Sequence, residues 1–111
     1  MERREPRIDF VGEHDGPPER ELKALLAAEL THYPAVRRAY LAIVGFGPEA
    51  PLSVALCLAP AKAESPVVVD ACAQIFRRLF KADMALDMLF VTAEQEGELA
   101  RVCSAFYPVT P

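Results

Sequence analysis

The strongest constraint in this sequence is a pair of apolar runs, residues 39–46 and 52–59, that contain no charged residue. In the second run large side chains alternate with small ones, which is the period of a β-strand. A strand with one face in water carries polar residues at every second position, and this strand does not. Both of its faces must therefore be covered, either by other elements of the chain or by a partner.

Composition limits the class of protein. A chain of 111 residues suits a single domain, residues 1–111, in which we expect residues 1–6 to be flexible. Its hydrophobic fraction of 52% and its charged fraction of 25% are close to globular averages and argue against intrinsic disorder. The net charge of -4 argues against binding to nucleic acid or to an anionic membrane, because both need clustered positive charge.

Targeting and membrane segments are not predicted. Residues 1–6 are mostly charged and lead into no long apolar stretch, so we expect no signal peptide. The longest uncharged stretch, residues 50–61, is too short to cross a bilayer as a helix, and it contains two prolines. We therefore expect a cytoplasmic protein.

The three cysteines, Cys57, Cys72 and Cys103, are widely separated and lie among apolar neighbours. A redox or zinc site would need a close pair such as C-x-x-C, with histidines at ligand spacing. We expect all three side chains in the core, and we predict no metal site and no cofactor.

Periodicity and turn residues together predict an α+β fold. The short connection at residues 47–51, rich in glycine and proline, indicates an antiparallel hairpin between the two apolar runs. Ser65 and Thr92 are placed to cap helices, and Thr92 forms a capping-box pattern with Gln95. The predicted strands cover residues 7–11, 39–46, 52–59 and 86–91, and the predicted helices cover residues 18–33, 66–80 and 93–106.

The predicted elements follow the βαββαβ order of the ferredoxin-like fold, with an added C-terminal helix and a mainly antiparallel sheet. Two helices of such a fold cover one face of the sheet and leave the other face open. Because the second face is apolar in this chain, either the last helix or a second subunit must cover it. We favour a second subunit, which predicts a homodimer whose interface contains Tyr40, Phe46, Val54, Leu56 and Leu58.

No catalytic group is indicated. His14 and His32 are the only general-base candidates at neutral pH, and neither lies in a nucleophile or metal motif. The glycines of residues 45–47 join two strands, whereas a phosphate-binding loop joins a strand to a helix N-terminus. We expect the glutamates of residues 94–98 and the arginine pair of residues 37–38 to be solvated surface. We expect no enzymatic activity.

One turn could hold a small ligand. Residues 13–17 lie where the first strand leads into a helix, and free amides at such a helix end bind small anions or carboxylates. The candidate ligand-binding residues are His14, Asp15 and Gly16. Domains of the ACT type share this order of elements and bind amino acids near such a junction. A small-ligand sensing domain for an amino acid is therefore the alternative function.

Three stretches carry a family resemblance, namely Leu22-x-x-Leu25, residues 36–41 (Val-Arg-Arg-Ala-Tyr-Leu) and the closing pair Phe106-Tyr107. Over residues 15–107 the chain resembles the C-terminal domain of the enhanced serine sensitivity (SseB-like) proteins of bacteria. The resemblance implies a bacterial cytoplasmic protein and supplies no set of catalytic residues. We therefore expect a non-enzymatic protein-association module that binds itself or another protein.

Overall fold

A computed structural model of the chain describes residues 8–80 and 84–108, so the flexibility expected for residues 1–6 lies outside the described residues. Within these ranges, strands and helices follow one another in the predicted order, with a single 3₁₀ turn added before the second helix. The strands are β1 (Asp9–Glu13), β2 (Arg38–Gly45), β3 (Ser53–Ala59) and β4 (Asp87–Phe90), and the helices are α1 (Pro17–Leu30), α2 (Pro66–Leu79) and α3 (Ala93–Leu99).

Local sequence signals account for the ends of these elements. The Ser65 hydroxyl caps α2 by accepting a hydrogen bond from a backbone amide of the first turn at 3.2 Å. Thr92 and Gln95 form the predicted capping box at the start of α3, with both reciprocal hydrogen bonds present. Gly47 has a φ of 130° in the turn between β2 and β3, a conformation that side chains disfavour. The predicted caps and the predicted hairpin are confirmed.

The four strands form one sheet in the order β1-β2-β3-β4. Neighbouring strands pair antiparallel from β1 to β3, and β4 pairs parallel with β3, so the sheet is mainly antiparallel as predicted. β1 does not reach the start of β2, and Tyr107 lies beside Ala39 there in an isolated antiparallel bridge. The Ala39 amide donates to the Tyr107 carbonyl oxygen at 3.1 Å. Tyr107 thus provides an antiparallel neighbour for the start of β2, where β1 provides none.

The ferredoxin-like sheet order is not confirmed. In that fold the first strand lies between the third and the fourth strands, whereas β1 is an edge strand of this sheet and pairs with β2. In this sheet β3 and β4, which α2 connects, are adjacent and parallel, so no strand lies between them. The order of elements along the chain is the same in both arrangements and cannot distinguish them.

Helices α1 and α2 pack against one face of the sheet, which we call the first face. Leu22, Leu26 and Leu30 of α1 repeat at helical spacing and are almost fully buried, as the sequence predicts. Leu41 of β2 and Leu56 of β3 are 0% exposed and contribute to the same core. The first face therefore carries the larger leucine core of the domain.

Helix α3 lies across the opposite face of the sheet, which we call the second face. Leu99 is 0% exposed and packs among small side chains of the central strands, including Ala42, Ala55 and Cys57. Cys103, in the segment after the helix, is 5% exposed and extends this cover. Of the two covers that the sequence left open, the last helix is the one that the structure shows. The central strands are thus buried on both faces within one chain.

The last helix is shorter than the predicted residues 93–106. It ends at Leu99 and a turn follows, and Val102, which a continued helix would place on the same stripe as Leu99, is 40% exposed. Gly97 lies within this helix, where a glycine costs about 1 kcal/mol relative to alanine. The chain then continues without helical structure toward its bridge with β2.

Candidate functional site

Two strands, β1 and β4, form the edges of the sheet, and β4 is better suited to accept a further strand. β1 contains a register shift between Phe10 and Gly12 and carries the charged residues Asp9 and Glu13. A bulge and charges at an edge hinder pairing with another strand. β4 pairs with β3 in regular register and carries one charged residue, Asp87.

The backbone of β4 presents hydrogen-bonding groups on its outer side. The Val91 amide donates to the Leu58 carbonyl oxygen at 2.9 Å, which fixes the alternation of backbone groups along the strand. Leu89 and Val91 therefore direct their backbone groups toward β3, and Met88 and Phe90 direct theirs away from it. Within the described residues β4 is the last strand of the sheet, so no further strand pairs with this outer side.

A mainly apolar groove of about 450 Å³, with a single charged residue in its lining, lies beside β4 and the end of α2. The rings of Phe76 and Phe80 line it and stack with their centroids 4.8 Å apart. Leu86 and Met88 line the groove from the β4 side, and Met84, also in its lining, is 52% exposed. Large apolar side chains and outward backbone groups therefore occur together at this edge, which we call the β4 edge.

The residues predicted for an interface lie mainly inside the chain. Leu56 and Leu58 are 0% exposed in the core of the first face, and Tyr40 is 5% exposed in the core of the second face. Phe46 and Val54 are half-buried. An association surface built on Leu56, Leu58 and Tyr40 would therefore require helices of the same chain to move away from the sheet.

The side chains of the turn predicted to bind a small ligand are paired with their neighbours. Nε2 of His14 lies 3.1 Å from Oε2 of Glu19. The Asp15 carboxylate accepts hydrogen bonds from Arg20 and Lys23, both at 3.4 Å. The pKa of Asp15 is lowered, chiefly by the hydrogen bond from Arg20. These contacts hold the turn against the first part of α1.

The start of α1 offers few free amides to an anion. Pro17 and Pro18 occupy the first helical positions and have no N–H to donate. The Glu19 carboxylate lies over Gly16, with Oε1 only 2.5 Å from the position that a Cβ atom of residue 16 would take. His14, Asp15 and Gly16 are close together, but proline nitrogens and a carboxylate stand where an anion needs hydrogen-bond donors.

The two histidines lie in different parts of the molecule. His14 and Glu19 border a narrow apolar pocket of about 40 Å³, which is room for a few water molecules, whereas small-molecule sites usually span roughly 300–1,000 Å³. His32 lies on an open groove of about 390 Å³ between α1 and α2. Glu29 lines the same groove and accepts a hydrogen bond from the Tyr33 hydroxyl at 3.2 Å. The fold does not bring the histidines into one site.

A polar cluster that the sequence analysis missed joins α3 to β2. Glu96 accepts hydrogen bonds from Nε and Nη2 of Arg38, the latter at 2.9 Å, and from the Tyr40 hydroxyl at 2.7 Å. Its side chain is 13% exposed, so its predicted place on the solvated surface is wrong. The sequence signal was its spacing, three residues before Leu99 and seven before Cys103, which places it on the buried stripe. We call Arg38, Tyr40 and Glu96 the α3 clamp.

The α3 clamp predicts a pH dependence of stability. Hydrogen bonds from Arg38, and next from Tyr40, hold the pKa of Glu96 below its ordinary value of 4.5. A carboxyl group with a depressed folded-state pKa stabilises the fold above its unfolded-state pKa, and this stabilisation is lost as pH falls through the folded-state value. The free energy of unfolding is therefore expected to decrease from about pH 5 downward.

Urea unfolding at a series of pH values measures this decrease. Glu13 and Asp15 contribute to it in the wild-type chain, because hydrogen bonds from Lys23 and Arg20, respectively, lower their pKa values as well. In Glu96→Gln the decrease is expected to be shallower and to retain these two contributions. If the free energy of unfolding of Glu96→Gln decreased with falling pH as steeply as that of the wild-type chain, the role of the α3 clamp would be contradicted.

The three cysteines are free and buried. Burial raises the pKa of Cys57 to about 12, and it raises the pKa values of Cys72 and Cys103 to about 11. These thiols therefore remain protonated at neutral pH and pack as small apolar side chains, as predicted.

Neither a metal-binding cluster nor a membrane-spanning helix is found among the described residues. In residues 8–80 and 84–108, no group of three or more His, Cys, Asp or Glu side chains could hold a metal ion. The helices of the same ranges include none with the length and apolar character needed to span a membrane.

Comparison with known proteins identifies the family. No curated protein shows significant similarity to the chain, and no solved structure does so. Residues 12–109 match the family described as the SseB protein C-terminal domain. The match extends from β1 through the segment that pairs with the start of β2. The chain therefore belongs to the SseB protein C-terminal domain family.

Proposed function

We propose that this chain is a non-enzymatic protein-association module and that it binds an extended segment of a partner along the β4 edge. The observation that carries the proposal is the outward backbone of Met88 and Phe90 beside an apolar groove. A strand added to a sheet edge gains affinity from main-chain hydrogen bonds and specificity from its alternate side chains.

Side chains on both faces of β4 support this mode of binding. Met88 and Phe90 lie toward the first face and Leu89 toward the second face, and all three are half-buried. An added strand would cover their exposed parts, which is favourable by about 25 cal/mol for each Å² of apolar surface removed from water. The partner segment best suited to this edge therefore has large apolar residues at alternate positions.

The partner's apolar side chains on the first face would meet the groove. Phe76 and Phe80 offer stacked rings there, and aromatic contacts of this kind add about 0.5–1.5 kcal/mol beyond area burial. We place this module in the cytoplasm as part of the same proposal, because three free thiols suit a reducing compartment.

Site-specific photo-crosslinking in cells that naturally produce the chain tests the proposal. A photoreactive amino acid at Met84, which lines the groove and is 52% exposed, is expected to give a protein adduct of discrete mass. The matched control is the same amino acid at Val67, which is 63% exposed at the start of α2 and lies outside the groove lining. We expect about tenfold less adduct from the control, because only the groove holds a partner at high effective concentration.

A second substitution connects the adduct to the strand. Met88→Lys places a charge on the β4 edge, and charged side chains at an edge oppose further pairing. It is expected to abolish the adduct formed at Met84. Equal yields at Met84 and Val67, or an adduct that persists in Met88→Lys, would remove the proposed function.

A further inference from the structure

We infer that the strand received by the β4 edge is β4 of a second copy of this chain, paired antiparallel about a two-fold axis. The inference rests on the function proposed above. A two-fold axis perpendicular to the sheet continues both sheets into one and satisfies the outward backbone groups of both copies at once. Each copy supplies Met88 and Phe90, so the edge is complementary to itself.

The alternation of side chains limits the possible registers. Opposite residues of an antiparallel pair point to the same face, and the two-fold axis keeps each face on its own side. Met88 and Phe90 belong to the first face and Leu89 to the second. A residue of β4 can therefore lie opposite only a residue whose side chain is on the same face. Centred pairing of these strands therefore places either Met88 opposite Met88 or Leu89 opposite Leu89.

The single charge on β4 selects between these two registers. With Met88 at the axis, the two Asp87 side chains are diagonal neighbours on one face, about 7–8 Å apart. With Leu89 at the axis, the two Asp87 residues are offset by four residue positions along the strands. The distance between them is then about 14 Å. Like charges at close range oppose pairing, so the geometry favours the Leu89 register.

The same register brings aromatic side chains to the groove. Phe90 of one copy lies opposite Met88 of the other, on the first face, where Met88 lines the groove with Phe76 and Phe80. The symmetry repeats this contact, so each copy inserts an aromatic residue beside the groove of the other. This exchange identifies a second copy as an occupant that matches both the backbone and the groove.

The expected dimer is weak. Four strand residues and one groove bury less than the roughly 800 Å² per subunit that stable interfaces of standard size bury. Each copy also carries a net charge of -4, which adds a repulsion that salt screens. Dissociation on dilution and stronger association at moderate than at low salt are therefore expected.

Oxidative cross-linking of the full chain carrying Leu89→Cys tests the register, in a Cys57→Ala background because Cys57 is the neighbour of Leu89 on β3 and would compete for the new thiol. Because Leu89 is a non-hydrogen-bonded pair in this register, its two Cα atoms lie about 4.5 Å apart, within the range of disulfide bonds. Under mild oxidation, a product of twice the 12.2 kDa chain mass is expected on a non-reducing gel. Met88→Cys tests the other register. Val67→Cys, at an exposed site on α2, measures the amount of cross-linking that random collisions between chains produce. Both controls are expected to give about tenfold less product.

The outcomes separate the inference from the proposed function. Preferred cross-linking of Met88→Cys overturns the Leu89 register. Sedimentation velocity of the unmodified chain is a second measurement, which does not depend on whether a variant folds. A mass of 12.2 kDa at every concentration would overturn the inference that the partner is a second copy of the chain. In that case an adduct at Met84 with another protein, lost in Met88→Lys, would leave the proposed function standing. Absence of both results would overturn both.

Discussion

Replacing Leu56 with alanine is expected to lower the free energy of unfolding by about 2–5 kcal/mol. Leu56 is 0% exposed in β3 and packs in the core of the first face, so the substitution leaves a cavity that its rigid surroundings cannot fill. Domains of this kind are usually stable by about 5–15 kcal/mol, so the expected loss is a large part of the total. Urea unfolding followed by circular dichroism measures it.

Leu52→Ala is the matched control for this prediction. It removes the same atoms from a leucine that is 62% exposed just before β3, and it is expected to change the free energy of unfolding by less than about 0.5 kcal/mol. Similar losses in the two variants would contradict the burial of β3 between the helices that cover the two faces of the sheet.

Glu96→Ala is expected to lower the free energy of unfolding by about 1–3 kcal/mol. The substitution leaves the Tyr40 hydroxyl, on a residue that is 5% exposed, without its carboxylate acceptor. It also releases Arg38, whose side chain is 46% exposed and can bond to water instead, so Arg38 contributes the smaller part. Chemical unfolding measures the loss.

Two variants of the same helix and one titration isolate the α3 clamp. Glu98→Ala removes an exposed carboxylate from α3 and is expected to have an effect within about 0.5 kcal/mol. Glu96→Gln keeps a hydrogen-bond acceptor for Tyr40, so its loss of unfolding free energy is expected to lie between those of Glu98→Ala and Glu96→Ala. Burial, with the hydrogen bond to Glu96, raises the pKa of Tyr40 to about 12, and the ultraviolet titration of this phenol is expected to move to lower pH in Glu96→Ala. An unmoved titration would contradict the clamp.

The elements of the fold could be predicted because short segments encode them. The caps at Ser65 and Thr92 and the turn at Gly47 act through neighbouring backbone groups, so a few residues contain all the relevant information. Helical spacing in α1 and α2 likewise marks most of the large apolar side chains that these helices bury, although Leu25 of the α1 repeat is 40% exposed. The end of α3 was misplaced because an apolar stripe continues past Leu99 although the helix does not.

The order of the strands could not be predicted in the same way. β1 has five residues, and its choice of β2 as neighbour depends on contacts between segments that are distant in the sequence. The position of α3 is a similar case. The sequence established that the second face had to be covered, but the small side chains that receive Leu99 come from two separate strands.

The place of the candidate site could not be predicted from the sequence. The apolar strands indicated association, and the structure covers their faces within the chain and leaves the β4 edge open among the described residues. Pairing across a sheet decides which strand is an edge, so periodicity within residues 86–91 does not reveal it. The groove likewise depends on Phe76 and Phe80 of one segment meeting Met88 of another.

The bridge between Ala39 and Tyr107 has a consequence for biosynthesis. The ribosome synthesises a chain from its N-terminus, so β2 and β3 emerge before α3, which covers their second face. The segment around Tyr107, which pairs with the start of β2, emerges later still. A growing chain therefore exposes a wide apolar sheet face until nearly all described residues have left the ribosome. Chaperone contact with the nascent chain is expected to be concentrated in this interval.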